Sequence, residues 1–344
     1  AKGFVSVPVH ASTSGEVVAI TNRPHPFGTS LPAVVIKPDG EDSWLSNLQF
    51  TDPGSLTSEE VIEKLRQAGV VGMGGAAFPA HVKMSPPPEK PIRTLLFNGV
   101  ECEPYLTSDH RMMLEEPERV LQGVSLLQYV YGAERVVLGI EANKPDAIAL
   151  LQKQCADTPV EVLPLQVKYP QGAEKQLITA ATGRVVPSGG LPMDVGVAVH
   201  NVSTAAAVTD AVMLGRPLIE RVCTVTGPAI REPKNLRVRI GTPLSHLVEV
   251  CGGLVEEPGK IILGGPMMGF TQVGLDVPVV RGTSGLLLLR EEDITQNPEG
   301  PCIRCARCVQ ACPMNLLPTT IAAYARRNLV AETEEYCAMD CIEC

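Results

Sequence analysis

The chain has 344 residues, is 44% apolar and carries a net charge of −9. That length and apolar content allow several domains, each with its own core. The acidic balance, with aromatics at 4% and not interleaved with basic residues, excludes a backbone-wide nucleic-acid binder.

Residues 1–50 are rich in Val, Gly, Pro and Ser, with alternating runs such as Gly15-Glu16-Val17-Val18-Ala19-Ile20. They predict short strands and tight turns, a small all-β module. Thr57-Ser58-Glu59-Glu60 reads as a capping box opening a helix, and Gly69 stops it. The apolar stripe of that helix is Val61, Ile62, Leu65 and Ala68. The glycine-rich run Gly72-Met73-Gly74-Gly75-Ala76-Ala77-Phe78-Pro79 follows, with Lys83 downstream. Its backbone N–H groups suit a phosphate cradle, and Lys83 adds a point charge. A plain tight turn explains it equally well, because a helix precedes the glycines where a Rossmann fingerprint needs a strand.

A strand is predicted at Thr94–Phe97, then a polar loop through Asp109. Helices at 115–130 and 145–155 alternate with strands at Arg135–Ile140 and Val160–Leu165, which implies a parallel sheet with crossover helices. Ligands of such sheets sit beyond the carboxyl ends of the strands, here loops 98–110, 141–144 and 166–175. In the first of these, Asn98 offers an amide to a heterocycle edge, and Glu101 and Glu103 can accept from ribose hydroxyls or an amide. A solvated acidic loop is the alternative. Residues 218–290 are β-rich again, with one helix near 243–252, a small α+β module. Met267-Met268 reads as packing, and Ser188-Gly189-Gly190 as a flexible loop.

The last segment carries seven of the 11 cysteines. Cys302, Cys305, Cys308 and Cys312, closed by Pro313, have the C-x2-C-x2-C-x3-C-P spacing of a bacterial ferredoxin run, whose fourth cysteine usually serves a second cluster. Cys341-x2-Cys344 supplies part of a second motif, and a helix from about Pro318 to Glu334 separates the two. Zinc also uses C-x2-C pairs, but not usually four cysteines this close together. Cys337-x3-Cys341-x2-Cys344 matches the spacing of radical enzymes that use S-adenosylmethionine, although there it opens a catalytic barrel. The other cysteines (Cys102, Cys155, Cys223, Cys251) are scattered, which argues for a reducing compartment over a disulfide scaffold. No H-x3-H pair occurs among the six His. No apolar run approaches the roughly 20 residues of a membrane span, and no signal peptide is visible. The chain reads as a piece of a longer protein, with further cluster ligands expected just past Cys344.

Four motifs in order carry a family resemblance: Gly72–Phe78 with Lys83, Asn98-Gly99-Val100-Glu101-Cys102-Glu103-Pro104, Tyr169-Pro170-Gln171-Gly172-Ala173-Glu174, and His200-Asn201-Val202-Ser203-Thr204. The series resembles the flavin- and NADH-binding subunit of respiratory complex I. With the paired ferredoxin motifs and Tyr105 it resembles the RnfC (RsxC) family, the C subunits of Rnf ion-translocating electron transport complexes. The resemblance implies a multidomain α/β chain. A barrel-like β module would span 1–50, a Rossmann-like FMN/NADH domain 51–215, a β-grasp module of the SLBB (soluble-ligand-binding) type 216–290, and a helical ferredoxin-type domain 291–344.

Gly72, Gly74, Gly75, Ala76, Lys83, Asn98, Asn201, Val202 and Thr204 would then hold FMN non-covalently, with Glu101, Tyr169 and Gly172 beside it. Phe78 would lie near the nicotinamide, and Glu103 and Glu174 would help to place NAD(H). No catalytic side chain is implied, since the flavin carries the hydride chemistry. The six cysteines Cys302, Cys305, Cys308, Cys312, Cys341 and Cys344 would ligate two [4Fe–4S] clusters. Val100, Ala173 and Ser203 depart from the complex I pattern, which has acidic residues there. The implied activity is electron exchange between NAD(H) and ferredoxin, coupled to Na+ or H+ movement in integral membrane subunits, with a ferredoxin-like B subunit among the partners. The implied place is the cytoplasmic face of the bacterial inner membrane, as a peripheral subunit. A soluble diaphorase subunit of a hydrogenase or formate dehydrogenase is the first rival. A non-catalytic scaffold or quinone-binding subunit of a sodium-pumping reductase is the second.

Overall fold

The computed structural model describes residues 3, 5–46, 48, 50–294 and 300–344. Residues 1, 2, 4, 47 and 49 of the expected first module and 295–299 of the expected last domain lie outside the described residues. β1 (Gly15–Pro24) and β2 (Ser30–Pro38) form an antiparallel ribbon with a register shift between Val17 and Ala19.

α1 (Ser58–Gln67) starts on the capping box: Thr57 Oγ1 accepts from Glu60 N–H, and the Glu60 carboxylate accepts from Thr57 N–H at 2.8 Å. Gly69, in the left-handed region at φ 69°, turns the chain away after it. The short helix α2 (Ala80–Lys83) follows the glycine run.

The central sheet holds four parallel strands: β3 (Thr94–Asn98), β4 (Arg135–Glu141), β5 (Val160–Leu165) and β6 (Val197–Asn201), in the order β5-β4-β3-β6. β3 and β4 are buried along nearly their whole length, as continuous apolar runs should be when both faces of a parallel sheet are covered. Pro164 sits in β5 at the sheet edge, where a missing N–H breaks no ladder. Five helices belong to this sheet: α3 (Ser108–Glu115), α4 (Pro117–Tyr131), α5 (Pro145–Gln154), α6 (Glu174–Thr182) and α7 (Val202–Met213). Alternation along β3 sorts the core. Leu95 and Phe97 join the cluster built with α1, α4, α5 and α7, whereas Leu96 joins the one built with α6.

The second β module is a mixed five-stranded sheet in the order β10-β9-β11-β7-β8. Its strands are β7 (Glu220–Thr226), β8 (Lys234–Arg239), β9 (Lys260–Leu263), β10 (Phe270–Gln272) and β11 (Gly285–Leu289), with α8 (Leu244–Val250) packed on it. The C-terminal segment contains α9 (Arg307–Ala311), α10 (Pro318–Ala325) and α11 (Val330–Glu335). The single helix expected from Pro318 to Glu334 is therefore two. Asn328, left-handed at φ 55°, breaks it, and Tyr324 O accepts from both Arg327 N–H (2.9 Å) and Leu329 N–H (3.1 Å). Among the described residues, no helix is long and apolar enough to cross a membrane.

Candidate flavin and iron–sulfur sites

The strand order fixes where a ligand fits. β3 leads to β4 and β5 on one side, and the chain then crosses back through α6 to place β6 on the other side of β3. The crevice at this reversal lies at the carboxyl ends of β3 and β6. Asn98 and Asn201, the last residues of those two strands, are register partners there.

Both asparagines are held by the fold. Asn98 Nδ2 donates to Gly172 O at 2.8 Å, and its Oδ1 accepts from Val100 N–H, which ties the loop after β3 to the loop before α6. Asn201 caps α7 by accepting from Ser203 N–H at 2.8 Å, and its Nδ2 donates to Asp109 Oδ2 at 2.6 Å. Thr204 Oγ1 accepts from Met73 N–H at 2.9 Å, and Gly72 N–H donates to Phe78 O at 2.8 Å. These bonds pin both ends of the glycine turn. Gly74, Gly75, Ala76 and Phe78 remain exposed at its tip. A side chain on Gly74 would press on Asn201 Cβ at 3.3 Å, while Gly75, at φ 130°, faces open space. Lys83 Nζ pairs with Glu174 Oε1 at 2.7 Å, both partly exposed, so a base and an acid from two separate motifs meet at the crevice. Tyr169 precedes Pro170 through a cis peptide in the same loop, and Val202 is fully buried as the first residue of α7.

The two acids of the loop after β3 have different tasks. Glu101 is half-buried. Its carboxylate accepts from Asp109 N–H (2.8 Å), His110 N–H (3.0 Å) and Ser108 Oγ (3.2 Å), the free donors at the start of α3. Burial and the neighbouring Asp109 push its pKa up to about 7. Glu103 faces the second β module, and its carboxylate accepts from Met267 N–H (3.1 Å) and Met268 N–H (2.7 Å). Met267 and Met268 are not packing residues. Their side chains are half exposed, and their backbone holds Glu103. Gly265 is required there, since a Cβ would meet Glu103 Oε2 at 2.3 Å.

Asp109, Arg221 and the Gly265–Met268 turn complete the surroundings of the motif residues. Asp109 accepts from Asn201 Nδ2 and Ser203 Oγ, each at 2.6 Å, and burial raises its pKa. Arg221, buried on β7, donates to the carbonyl of Met73 (3.4 Å) in the glycine run and to that of Arg281. No sequence pattern joins these residues to the motifs. The available signals were an acid opening a helix at Asp109 and the glycine-rich Gly264-Gly265-Pro266-Met267-Met268-Gly269.

In the cysteine segment Cys302, Cys305, Cys308, Cys341 and Cys344 are exposed and Cys312 is half-buried. Among the described residues no three His, Cys, Asp or Glu side chains are gathered into a ready metal site. The donor set nevertheless fits an iron–sulfur group. Arg304 and Ala306, between the cysteines of the first run, are left-handed, as is Glu343 in the second. Leu316 N–H and Glu343 N–H each lie 3.4 Å from a cysteine sulfur, Cys312 and Cys341 respectively, and N–H···S bonds of this kind tune cluster sulfurs. Cys102 lies in the other site, where Gly172 N–H donates to its sulfur at 3.3 Å and burial raises its pKa.

Residues 65–210 match the Nuo51 FMN-binding domain, 222–271 the SLBB domain and 1–41 the RnfC barrel sandwich hybrid domain. The chain is 50% identical over 339 residues to the C subunit of the proton-translocating ferredoxin:NAD(+) oxidoreductase complex of Clostridium ljungdahlii, a match that covers 98% of this chain and 74% of that one. It is 47% identical over 340 residues to the C subunit of the Na(+)-translocating ferredoxin:NAD(+) oxidoreductase complex of Acetobacterium woodii, covering 98% and 77%. It is 44% identical over 329 residues to the C subunit of the ion-translocating oxidoreductase complex of Rhodobacter capsulatus, covering 94% and 63%. In fold it is similar to a chain of an NAD+-reducing [NiFe]-hydrogenase crystallised in the H2-reduced state, with a TM-score of 0.58 at 21% identity over 69% of this chain and 47% of the other. With half its residues identical across nearly its whole length, the chain belongs to the RnfC family, the C subunits of ion-translocating ferredoxin:NAD(+) oxidoreductase complexes.

Proposed function

We propose that this chain is the peripheral electron-transfer subunit of an Rnf complex, exchanging electrons between NAD(H) and ferredoxin while membrane subunits move Na+ or H+. The observation that carries this reading is the crevice at the β3/β6 reversal, where the glycine turn, Asn98, the Lys83–Glu174 pair and Asn201 meet. When bound, FMN supplies the chemistry that joins a two-electron hydride donor to one-electron clusters. Among the chain's own residues, the open tip Gly74–Ala76 offers backbone N–H groups to an anion, and Lys83 adds positive charge. Asn98 and Asn201, locked by their own hydrogen bonds, set the width of the crevice. Glu174, partly exposed beside Lys83, is placed to accept from hydroxyl or amide groups of the dinucleotide.

The six motif cysteines would hold two [4Fe–4S] clusters, which pass one electron at a time. The four-domain division at 50, 215 and 290 belongs to the same reading, and the three separate sheets support its first two boundaries. So does a place on the cytoplasmic face of the membrane, where NADH and ferredoxin are found. Glu174→Gln and Gly74→Val test the pocket: NADH-driven reduction of an artificial one-electron acceptor should fall sharply while the cluster EPR signals stay. Unchanged NADH turnover in both variants refutes the pocket.

A further inference from the structure

Lys83 reaches the crevice from the end of α2, a helix of four residues, too short to hold its own last turn. The Lys83 carbonyl is one of those that a helix C-terminus leaves without an intrahelical donor. The donor comes from a distant part of the chain. Tyr131, the last residue of α4, donates through Oη to Lys83 O at 3.0 Å. Tyr131 Oη also lies 2.9 Å from Nε2 of His200 on β6. His200 is 4% exposed, pairs in register with Phe97, and comes one position before Asn201 at the crevice.

A hydroxyl carries one proton, so the two contacts of Tyr131 are not both donations. With that proton on Lys83 O, Tyr131 accepts from His200 Nε2–H, and the imidazole is the Nε2–H tautomer. Burial first, and the Lys83 charge second, hold the His200 pKa well below its ordinary value, which keeps the ring neutral. Burial and then the Glu174 charge raise the pKa of Tyr131, which keeps the phenol proton in place. Lys83 and Glu174 are the same two charges that pair at 2.7 Å at the crevice. The two bonds therefore run one way, from β6 through α4 to the end of α2. They join the strand that carries Asn201 to the backbone that carries Lys83.

Resting on the reading of the crevice as an FMN site, we propose that Tyr131 and His200 are positioning residues for Lys83. The bridge from His200 Nε2–H to Tyr131 Oη, and from Tyr131 O–H to Lys83 O, fixes the end of α2 and so aims the Lys83 ammonium at bound FMN. Both residues act through Lys83. Its ammonium is a point charge on a flexible four-carbon stem, so its reach depends on where its backbone is held.

The test is a double-mutant cycle on the full-length chain stripped of flavin, with FMN affinity read from quenching of flavin fluorescence. Tyr131→Phe keeps the ring and removes the donor, and in the parent it should weaken FMN binding about tenfold, the scale of one charge-assisted contact. In a Lys83→Met background the same substitution should change the affinity by less than about twofold. Equal losses in both backgrounds would make Tyr131 a merely structural residue and overturn the proposal, as would no loss in the parent. Should Tyr131→Phe fail to fold, His200 supplies a second comparison. His200→Gln, whose amide still donates, should bind FMN like the parent, and His200→Leu should bind about tenfold more weakly. Equal affinity of the two His200 variants contradicts the bridge. Without FMN, 15N NMR of histidine-labelled protein reads the tautomer of His200, identified by the signal lost in His200→Gln. The Nε2–H form is expected. The Nδ1–H form would turn the Tyr131 proton toward His200 and refute the bridge. If the parent binds no FMN at all, the functional reading fails and the tautomer still decides the bridge.

Discussion

Glu101 and Asp109 sit next to each other with little water, and each is held by donors it cannot easily lose. Burial disfavours the charged form of each and raises both pKa values, and for Glu101 the neighbouring Asp109 adds to the rise. A carboxyl whose folded pKa exceeds its unfolded value binds its proton more tightly in the native chain. Glu101 therefore makes the protein lose stability as pH rises from the ordinary carboxyl value of 4.5 toward about 7. Urea unfolding of the parent and of Glu101→Gln across that range should show the variant with the flatter dependence. Parallel curves would count against the raised pKa. Asp109→Ala should cost about 1–3 kcal/mol, because Asn201 Nδ2 and Ser203 Oγ lose their buried acceptor, and denaturant midpoints would show it. The motif residues at this scale were legible from their order along the chain. Asp109 was not, because its bond to Asn201 spans 92 positions and no local period marks it. The same holds for Glu103, which has the acidity of a ligand-binding residue but whose carboxylate is bonded to a turn 164 positions away.

At the scale of elements, α4 and α7 pack so closely that a Cβ on Gly123 would sit 1.9 Å from Ala205 O, inside the facing backbone. Gly123→Ala should force the helices apart, costing roughly 1–3 kcal/mol, read as a fall in thermal midpoint. Thr57→Ala removes one arm of the capping box and should cost about 1 kcal/mol, read from chemical denaturation. Such locally encoded elements were the most legible. The capping box, Gly69, the buried run Thr94–Phe97 and the Pro145 helix start all carry their cause within a few residues. The break at Asn328 was harder to see, because Asn is tolerated in helices and reveals its left-handed preference only where tertiary contacts favour the turn. The bonds from Gln176 Nε2 to Pro313 O and from Gly189 N–H to Asp340 Oδ1 depend on how distant segments meet, and no single segment encodes that.

Across the whole molecule, a ladder of alternating charge ties the modules together. Asp42 pairs with Arg239 at 2.8 Å, Arg239 and Arg237 with Glu220, Arg237 also with Glu116, and Arg119 with Glu116 and Asp210. Arg216 and Arg239 also lie over the Trp44 ring, at 5.1 and 5.4 Å. Shared partners and partial burial make such a network more cooperative than isolated surface pairs. Arg119→Ala should therefore lower the thermal midpoint more than Lys90→Ala, which removes an isolated, partly exposed pair with Asp194; equal shifts would deny the ladder its role. The central claim is that one polypeptide holds both a flavin and iron–sulfur clusters, and a cofactor inventory on the anaerobically purified full-length protein tests it most directly. The account predicts FMN in stoichiometric amount, with iron and acid-labile sulfide in equal proportion at the level of two [4Fe–4S] clusters. Zinc in place of iron, together with no FMN retained or rebound, would contradict it.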